Sequence, residues 1–409
     1  MISCESFLNG ELAGIHNAGL YRRLRAVASP QGVRLQLDGR ELINFSSNDY
    51  LGLANHPVLK AAAVRSIERY GAGAGASRLI CGSLKPFHEL EEVLAEFKRT
   101  DASLTFSSGY AAAMGTITAL LGPDDVVIVD KLVHASIVDA ARHCGAKLRV
   151  FRHNDLDDLD RILQWARTRT TDRESQILVV TESVFSMDGD VAPLREIVEL
   201  KERHGAWLMI DEAHATGLFG ERRSGVIEQL GLSGRVEIQM GTLGKAIGAA
   251  GGFICGSRTL IDCLINSARS FIFSTAPVPA SAAAARAGVE LIQSTEGAER
   301  CRQVWERAEQ GRTGFRRFWP QARDDPPSQS KPAAGPLFSP ILPIIIGEEK
   351  EAVAAATALL AQGFFAPAIR YPTVARGRAR LRLTVCADHT ADDLARLTAA
   401  LGGIVARKS

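Results

Sequence analysis

The sequence predicts an α/β fold built on a mostly parallel sheet, followed by a smaller α+β unit. Three observations carry that prediction. The runs Val126-Val127-Ile128-Val129, Ile177-Leu178-Val179-Val180 and Trp207-Leu208-Met209-Ile210 are almost wholly apolar, as strands covered on both faces must be. Between the last two, Leu194, Ile197, Val198 and Lys201 recur at helical spacing, with Pro193 suited to the first turn and Gly205 to the C-terminal stop. From about residue 290 the texture changes to longer helical patterns around two isolated strands.

Residues 1–54 read as an N-terminal segment, 55–290 as a large α/β domain and 291–409 as a small α+β domain. In the large domain the alanine runs 111–113 and 282–285 fall in helical contexts. In the small one, a helical stretch over 296–318 leads into Pro326-Pro327-Ser328-Gln329-Ser330-Lys331-Pro332, a composition that predicts an exposed loop. A strand over 341–346, a helix over 348–362 stopped by Gly363, a strand over 379–385 and a last helix complete it.

With 409 residues, 46% apolar and 23% charged, the chain can bury a large core. A formal net charge of +2 makes no electrostatic case for nucleic acid or a membrane surface. Seven dispersed cysteines without a C-x-x-C pair predict reduced thiols, with neither a disulfide framework nor a metal site. Met1-Ile2-Ser3-Cys4-Glu5 has no basic region followed by an apolar one, and no apolar run is long enough to span a bilayer. A soluble cytoplasmic protein is expected.

The chemistry concentrates in residues 211–245. Asp211-Glu212-Ala213-His214 closes an apolar strand, and ligands of α/β sheets gather beyond the carboxyl ends of strands. Further on, Gly241-Thr242-Leu243-Gly244-Lys245-Ala246-Ile247-Gly248 sets one lysine among small and apolar residues. A lysine held that way can lose its proton and become an amine nucleophile for a carbonyl. Two other readings of this segment fail. A P-loop needs glycine at position 239 and serine or threonine at 246, where this chain has Gln239 and Ala246. Without that loop, the DEAH spelling resembles a helicase motif in letters only.

Asp211 could cap a helix or hold a pyridinium nitrogen protonated, and His214 could be incidental or bond a phenolic oxygen. Ser107-Ser108-Gly109-Tyr110 opens a helical stretch over 111–121, either as a simple N-cap or as a cup whose free N–H groups and helix dipole favour phosphate. His134 opens another helix after a strand. Arg382 lies in an amphipathic strand, either as a solvent-facing charge or as a fork for a carboxylate.

Taken in order, these blocks become recognisable. Asn44-Phe45-Ser46-Ser47-Asn48-Asp49-Tyr50-Leu51-Gly52-Leu53, the glycine-rich stretch 71–77, Phe151-Arg152-His153-Asn154-Asp155 and Val184-Phe185-Ser186-Met187-Asp188-Gly189-Asp190 precede the DEAH and Lys245 segments. Residues 369–383, beginning Ile369-Arg370-Tyr371-Pro372-Thr373-Val374, follow them. Over nearly its whole length the chain resembles the α-oxoamine synthases. These are fold-type I, aspartate-aminotransferase-like enzymes that use pyridoxal 5'-phosphate (PLP).

The resemblance implies PLP as cofactor, with Lys245 bonding its aldehyde, Asp211 its ring nitrogen and His214 its phenolic oxygen, and with His134 stacked on the ring. Gly109, Tyr110, Ser186 and Thr242 would contact the cofactor, and Thr275 would reach the phosphate in the neighbouring subunit's site. Arg382 and Asn48 would hold an amino-acid carboxylate, and Arg22 and Thr373 match substrate-contact positions. His134 would also face the substrate. A homodimer with its active site at the interface is implied, condensing L-alanine with a pimeloyl thioester carried by CoA or acyl carrier protein. The alternative is a family member that takes glycine or serine. The chain departs from the pattern at Tyr371, where a second proline is usual, at Ala375-Arg376, which replaces a proline and an acid, and in a longer loop over 323–340. These departures fall on the acyl-substrate side.

Overall fold

The computed structural model describes residues 2–169, 175–318 and 338–405. Its centre is a seven-stranded sheet in the order Ala102–Phe106, Gly252–Gly256, Ile238–Thr242, Trp207–Asp211, Ile177–Glu182, Val126–Asp130, Lys147–Phe151. The strand Gly252–Gly256 runs antiparallel to both its neighbours, and the remaining pairs are parallel.

The near-continuous apolar runs follow from this geometry. Successive side chains of a strand point to opposite faces. Val126, Ile128, Leu208 and Ile210 enter the core on one face, while Val127, Val129 and Met209 enter the core on the other. Each such side chain contributes on the order of 1.5–3 kcal/mol by leaving water, an upper figure because the unfolded chain already buries part of its surface. The helix between the last two strands spans Leu194–His204, with Pro193 at its N-cap position and Gly205 at φ 65° as its left-handed stop. The proline thus sits one residue earlier than its usual first-turn place, still outside the hydrogen-bonded interior.

Four adjacent parallel strands end on the same edge of the sheet with Asp130, Glu182, Asp211 and Thr242. Asp211 lies directly across from Glu182 in register. This edge positions the site.

The small unit holds the antiparallel strands Ile341–Gly347, Ala379–Thr384 and Ala368–Ile369. The N-terminal strands Arg34–Leu37 and Arg40–Asn44 join it, since Arg40–Asn44 pairs in parallel with Phe364–Phe365. Val33, Ile43 and Phe45 share a core with Leu381, Leu383 and Leu397. The helix Thr295–Phe315 links the two cores, giving Cys301 and Val304 to the large one and Ala308 and Phe315 to the small one. The strand 379–384 differs from its amphipathic reading: all six residues are buried, Arg380 and Arg382 included. Its arginines face protein instead of solvent. The predicted loop at 326–332 lies outside the described residues, as does the 323–340 stretch up to residue 337. Among the described residues, no helix is long and apolar enough to cross a membrane.

Candidate active site

Lys245 and His214 meet at the edge of the sheet. The Lys245 Nζ lies 2.7 Å from His214 Nε2, and the other ring nitrogen, Nδ1, lies 2.6 Å from the Tyr50 hydroxyl. His214 and Tyr50 are buried, whereas Lys245 keeps an opening to solvent. Burial pushes the Lys245 ammonium down to about 8, although the Asp211 and Glu182 carboxylates pull it the other way. Burial, with the neighbouring Lys245 and Arg382 charges, also holds the His214 imidazole well below its usual range. Burial keeps the Tyr50 phenol protonated, pushed up to about 12.

Asp211 is buried at its strand end. Its Oδ1 accepts the Ala213 N–H at 2.8 Å, and its carbonyl accepts the Ser183 N–H at 2.9 Å. It therefore shapes a short turn and caps no helix. Beside it, burial and the Asp211 charge raise the Glu182 carboxyl well above the ordinary carboxylate range, and its Oε1 has no partner. Two facing carboxylates cannot both ionise cheaply, and the Glu182 carboxyl is the one pushed towards its neutral form.

His134 is the N-cap of the helix Ala135–His143, and its Nδ1 lies 2.8 Å from Ser136 Oγ. Burial lowers its pKa, opposed by the Asp211 charge and reinforced by Lys245. Ser108 caps the helix Gly109–Leu120 by accepting the Ala111 N–H at 3.0 Å, which leaves the first-turn N–H groups of Gly109 and Tyr110 without intrahelical partners. A Cβ at Gly252 would come within 2.5 Å of the Ser108 carbonyl oxygen, so glycine keeps this cup open. The Tyr110 hydroxyl donates to Asp139 at 2.8 Å, and the Thr242 hydroxyl donates to the Gly251 carbonyl at 3.0 Å.

Arg382 crosses from the small unit. Its Nη1 donates to Asn48 Oδ1 at 3.0 Å, its Nε donates to the Ser186 carbonyl, and its Nη2 is buried without a partner. A buried guanidinium N–H left unsatisfied is costly, and a planar carboxylate matches it.

The structure thus gathers Lys245, Asp211, His214, His134, Ser186, Asn48 and Arg382 into one neighbourhood. Arg22 and Thr373 form a separate one: the Arg22 Nη2 donates to the Tyr371 carbonyl at 2.8 Å, and both residues are exposed. Thr275 is also exposed and sits across an isolated bridge from Ser77, at the end of the glycine-rich stretch. Sequence reasoning assigned no part to Tyr50 or Glu182. Tyr50 lies inside the quoted 44–53 block, yet a tyrosine 164 positions from His214 gives no local sign of contact. Glu182 ends an apolar strand just as Asp211 does, and that shared placement was the signal available.

A family model described as aminotransferase class I and II matches residues 40–401. The chain belongs to that family. Within the aminotransferase class I and II family, the chain is 45% identical to the 8-amino-7-oxononanoate synthase of Geobacter sulfurreducens, over 97% of this chain and 97% of that one. Among solved structures, a serine palmitoyltransferase from S. paucimobilis with bound PLP superposes with a TM-score of 0.87 at 28% identity, covering 99% of this chain and 100% of that one. An 8-amino-7-oxononanoate synthase from Francisella tularensis gives a TM-score of 0.71 at 25% identity, covering 90% and 98%.

Proposed function

We infer that the protein is a PLP-dependent acyltransferase of the α-oxoamine synthase type. It condenses L-alanine with a pimeloyl thioester, of CoA or acyl carrier protein, to 8-amino-7-oxononanoate in biotin biosynthesis, with release of the thiol and CO2. The site supports this through one arrangement above all: an amine brought to about 8, beside a neutral imidazole, at the end of a strand that carries a buried carboxylate. The choice of synthase over palmitoyltransferase rests on the higher identity to the Geobacter sulfurreducens synthase, 45% against 28%.

The residues fit PLP. Lys245 is the amine for its aldehyde, Asp211 the carboxylate for its ring nitrogen and His214 the donor to its phenolic oxygen. The Gly109 and Tyr110 N–H groups and Thr242 border the phosphate cup that Gly252 leaves open. Ser186 and His134 flank the ring, and Thr275 serves the site of a partner copy in a homodimer. When bound, the cofactor supplies an electron sink for the carbanion at the amino-acid Cα.

The chain's own groups do the rest. The Tyr50 hydroxyl and Lys245 Nζ hold the two ring nitrogens of His214; with Tyr50 donating to Nδ1, the ring proton would sit on Nε2, available to the neutral Lys245 amine or to the phenolic oxygen of a bound cofactor. Asp211 would hold the ring nitrogen of a bound cofactor in its protonated form. The unpartnered Arg382 Nη2, with Asn48 on its Nη1, grips the alanine carboxylate and orients the Cα proton. Lys245, an amine near its own pKa, takes that proton with His134 alongside. Arg22 and Thr373 receive the acyl partner. The division at residues 54 and 290 separates the segment, large and small domains that meet around this site.

The test is a panel of amino acids and acyl donors, following thiol release. Turnover with alanine and a pimeloyl thioester, and little with glycine or serine, is the expected outcome. A preference for glycine or serine would move the protein to another branch of the family. Parallel arms with the CoA and carrier-protein thioesters identify the donor.

A further inference from the structure

The turn 184–191 carries Ser186, whose carbonyl holds Arg382, yet it has no regular secondary structure of its own beyond a bridge between Val184 and Val191. From the small unit it is gripped by Arg380, which donates to the Met187 carbonyl at 3.1 Å and to Asp188 at 2.7 Å. Ser339 adds a bond to the Gly189 carbonyl at 2.7 Å. From the large sheet the grip is different. His153 lies between two carboxylates, with Nδ1 3.0 Å from Asp130 and Nε2 2.7 Å from Asp190. Asp130 is the buried end of its strand and also takes the Asn154 N–H at 2.9 Å, while the Asn154 side chain donates to Asp190 at 2.9 Å. The imidazole meets the Phe185 ring edge-on, 4.4 Å between centroids.

A neutral imidazole has one N–H and one lone pair, so it could satisfy only one of these carboxylates and would turn its lone pair towards the other. Nε2 also lies 3.3 Å from the Asn154 side-chain nitrogen, but its 2.7 Å approach to Asp190 is the shorter contact and favours both ring nitrogens donating. Burial works against a charge on His153, but Asp130 and Asp190 outweigh it and push the imidazole up to about 10. The remaining charged pair on this turn, Asp188 with Arg380, is closed on itself.

We propose that His153 is a positioning residue: as a bridging imidazolium it latches the 184–191 turn to the sheet and so sets the Ser186 carbonyl, and through it Arg382, for the amino-acid carboxylate. The consequence for turnover rests on the function proposed above. The latch itself does not, because it concerns groups present whatever the substrate. Without the imidazolium, Asp130 and Asp190 face each other as like charges and the turn moves away from the sheet.

The experiment compares the holoenzyme of wild type, His153→Gln, Asp190→Asn and the double variant, with ring-nitrogen NMR of labelled histidine in the wild type. His153→Gln should raise the KM for L-alanine by about tenfold or more, the scale of a lost charge-assisted hydrogen bond. The KM for the thioester should stay within about twofold of wild type. Adding Asp190→Asn should recover at least half of the loss on a logarithmic scale, because it removes the like-charge opposition without restoring volume. In the wild type, the His153 signals, assigned by their absence in His153→Gln, should show two protonated nitrogens at pH 8. A neutral ring at that pH, or a double variant no better than the single one, overturns the proposal. If wild type fails to use alanine, the functional reading falls while the NMR arm still decides the latch.

Discussion

Two lysines lie on opposite sides of the same tetrapeptide, and they have opposite fates. Behind Asp211-Glu212-Ala213-His214, the Lys98 Nζ donates to Glu212 at 2.8 Å, to Thr216 at 3.0 Å and to the Ser224 carbonyl at 2.5 Å, with its side chain fully enclosed. Glu212 also takes the Ile227 N–H at 3.0 Å. Every proton of that ammonium has an acceptor. In front, Lys245 meets a neutral imidazole, and its nearest carboxylates act from a distance. Burial with full pairing makes a fixed structural charge, and burial without it makes an amine that gives up its proton. One short segment serves the two sides, with Glu212 turned to the core and His214 to the site.

The largest effect should come from the front. Lys245→Ala is expected to abolish turnover and the borohydride-trappable chromophore, with a melting temperature close to wild type. A variant that keeps both would end the distinction drawn here.

At the back, Lys98→Met should spare the chemistry of the folded fraction but cost about 3–5 kcal/mol in denaturant unfolding, because Glu212 is left as a buried unpaired charge. The sharper version is Lys98→Met with Glu212→Leu. Replacing both charges by apolar groups should recover most of the loss, and a double variant as unstable as the single one would mean the pair is doing something other than balancing charge.

Arg382→Lys tests the clamp that the front alone possesses. It should raise the KM for the amino acid by roughly tenfold, since a point charge cannot replace a fork, while the cofactor spectrum stays unchanged. The mildest prediction concerns pH. With its folded-state value lowered to about 8, Lys245 is protonated below that and a free amine above it. The rate at which cofactor-free protein captures an aldehyde should therefore climb through about pH 8 and level off above. Continued climbing towards 10, the range of an ordinary lysine, would place this amine with the solvated ones.

Much of this was legible in the chain. Apolar runs and a proline-to-glycine helix between them gave the parallel sheet, since strands buried on both faces have no polar period to hide. Asp211, His214 and Lys245 stood out because strand ends and small-residue loops are where ligands fit. The strand 379–384 left Arg382 open between a wet face and a carboxylate fork, because alternating arginines suit either, and only the packing of the turn 184–191 and of Asn48 against them shows a buried face. Tyr50, Glu182, Lys98 and His153 were passed over for one physical reason. Each acts through partners tens to more than a hundred positions away, and a tyrosine, glutamate, lysine or histidine carries no local mark of which distant group will satisfy it.

The most direct test of the central claim sets the two lysines against each other in one tube. The protein is loaded with PLP, reduced with borohydride and digested, and the modified peptide is identified by mass. The account predicts a pyridoxyl adduct on the peptide containing Lys245 and none on the peptide containing Lys98. An adduct on Lys98 or elsewhere, or none at all with the cofactor bound, would contradict it.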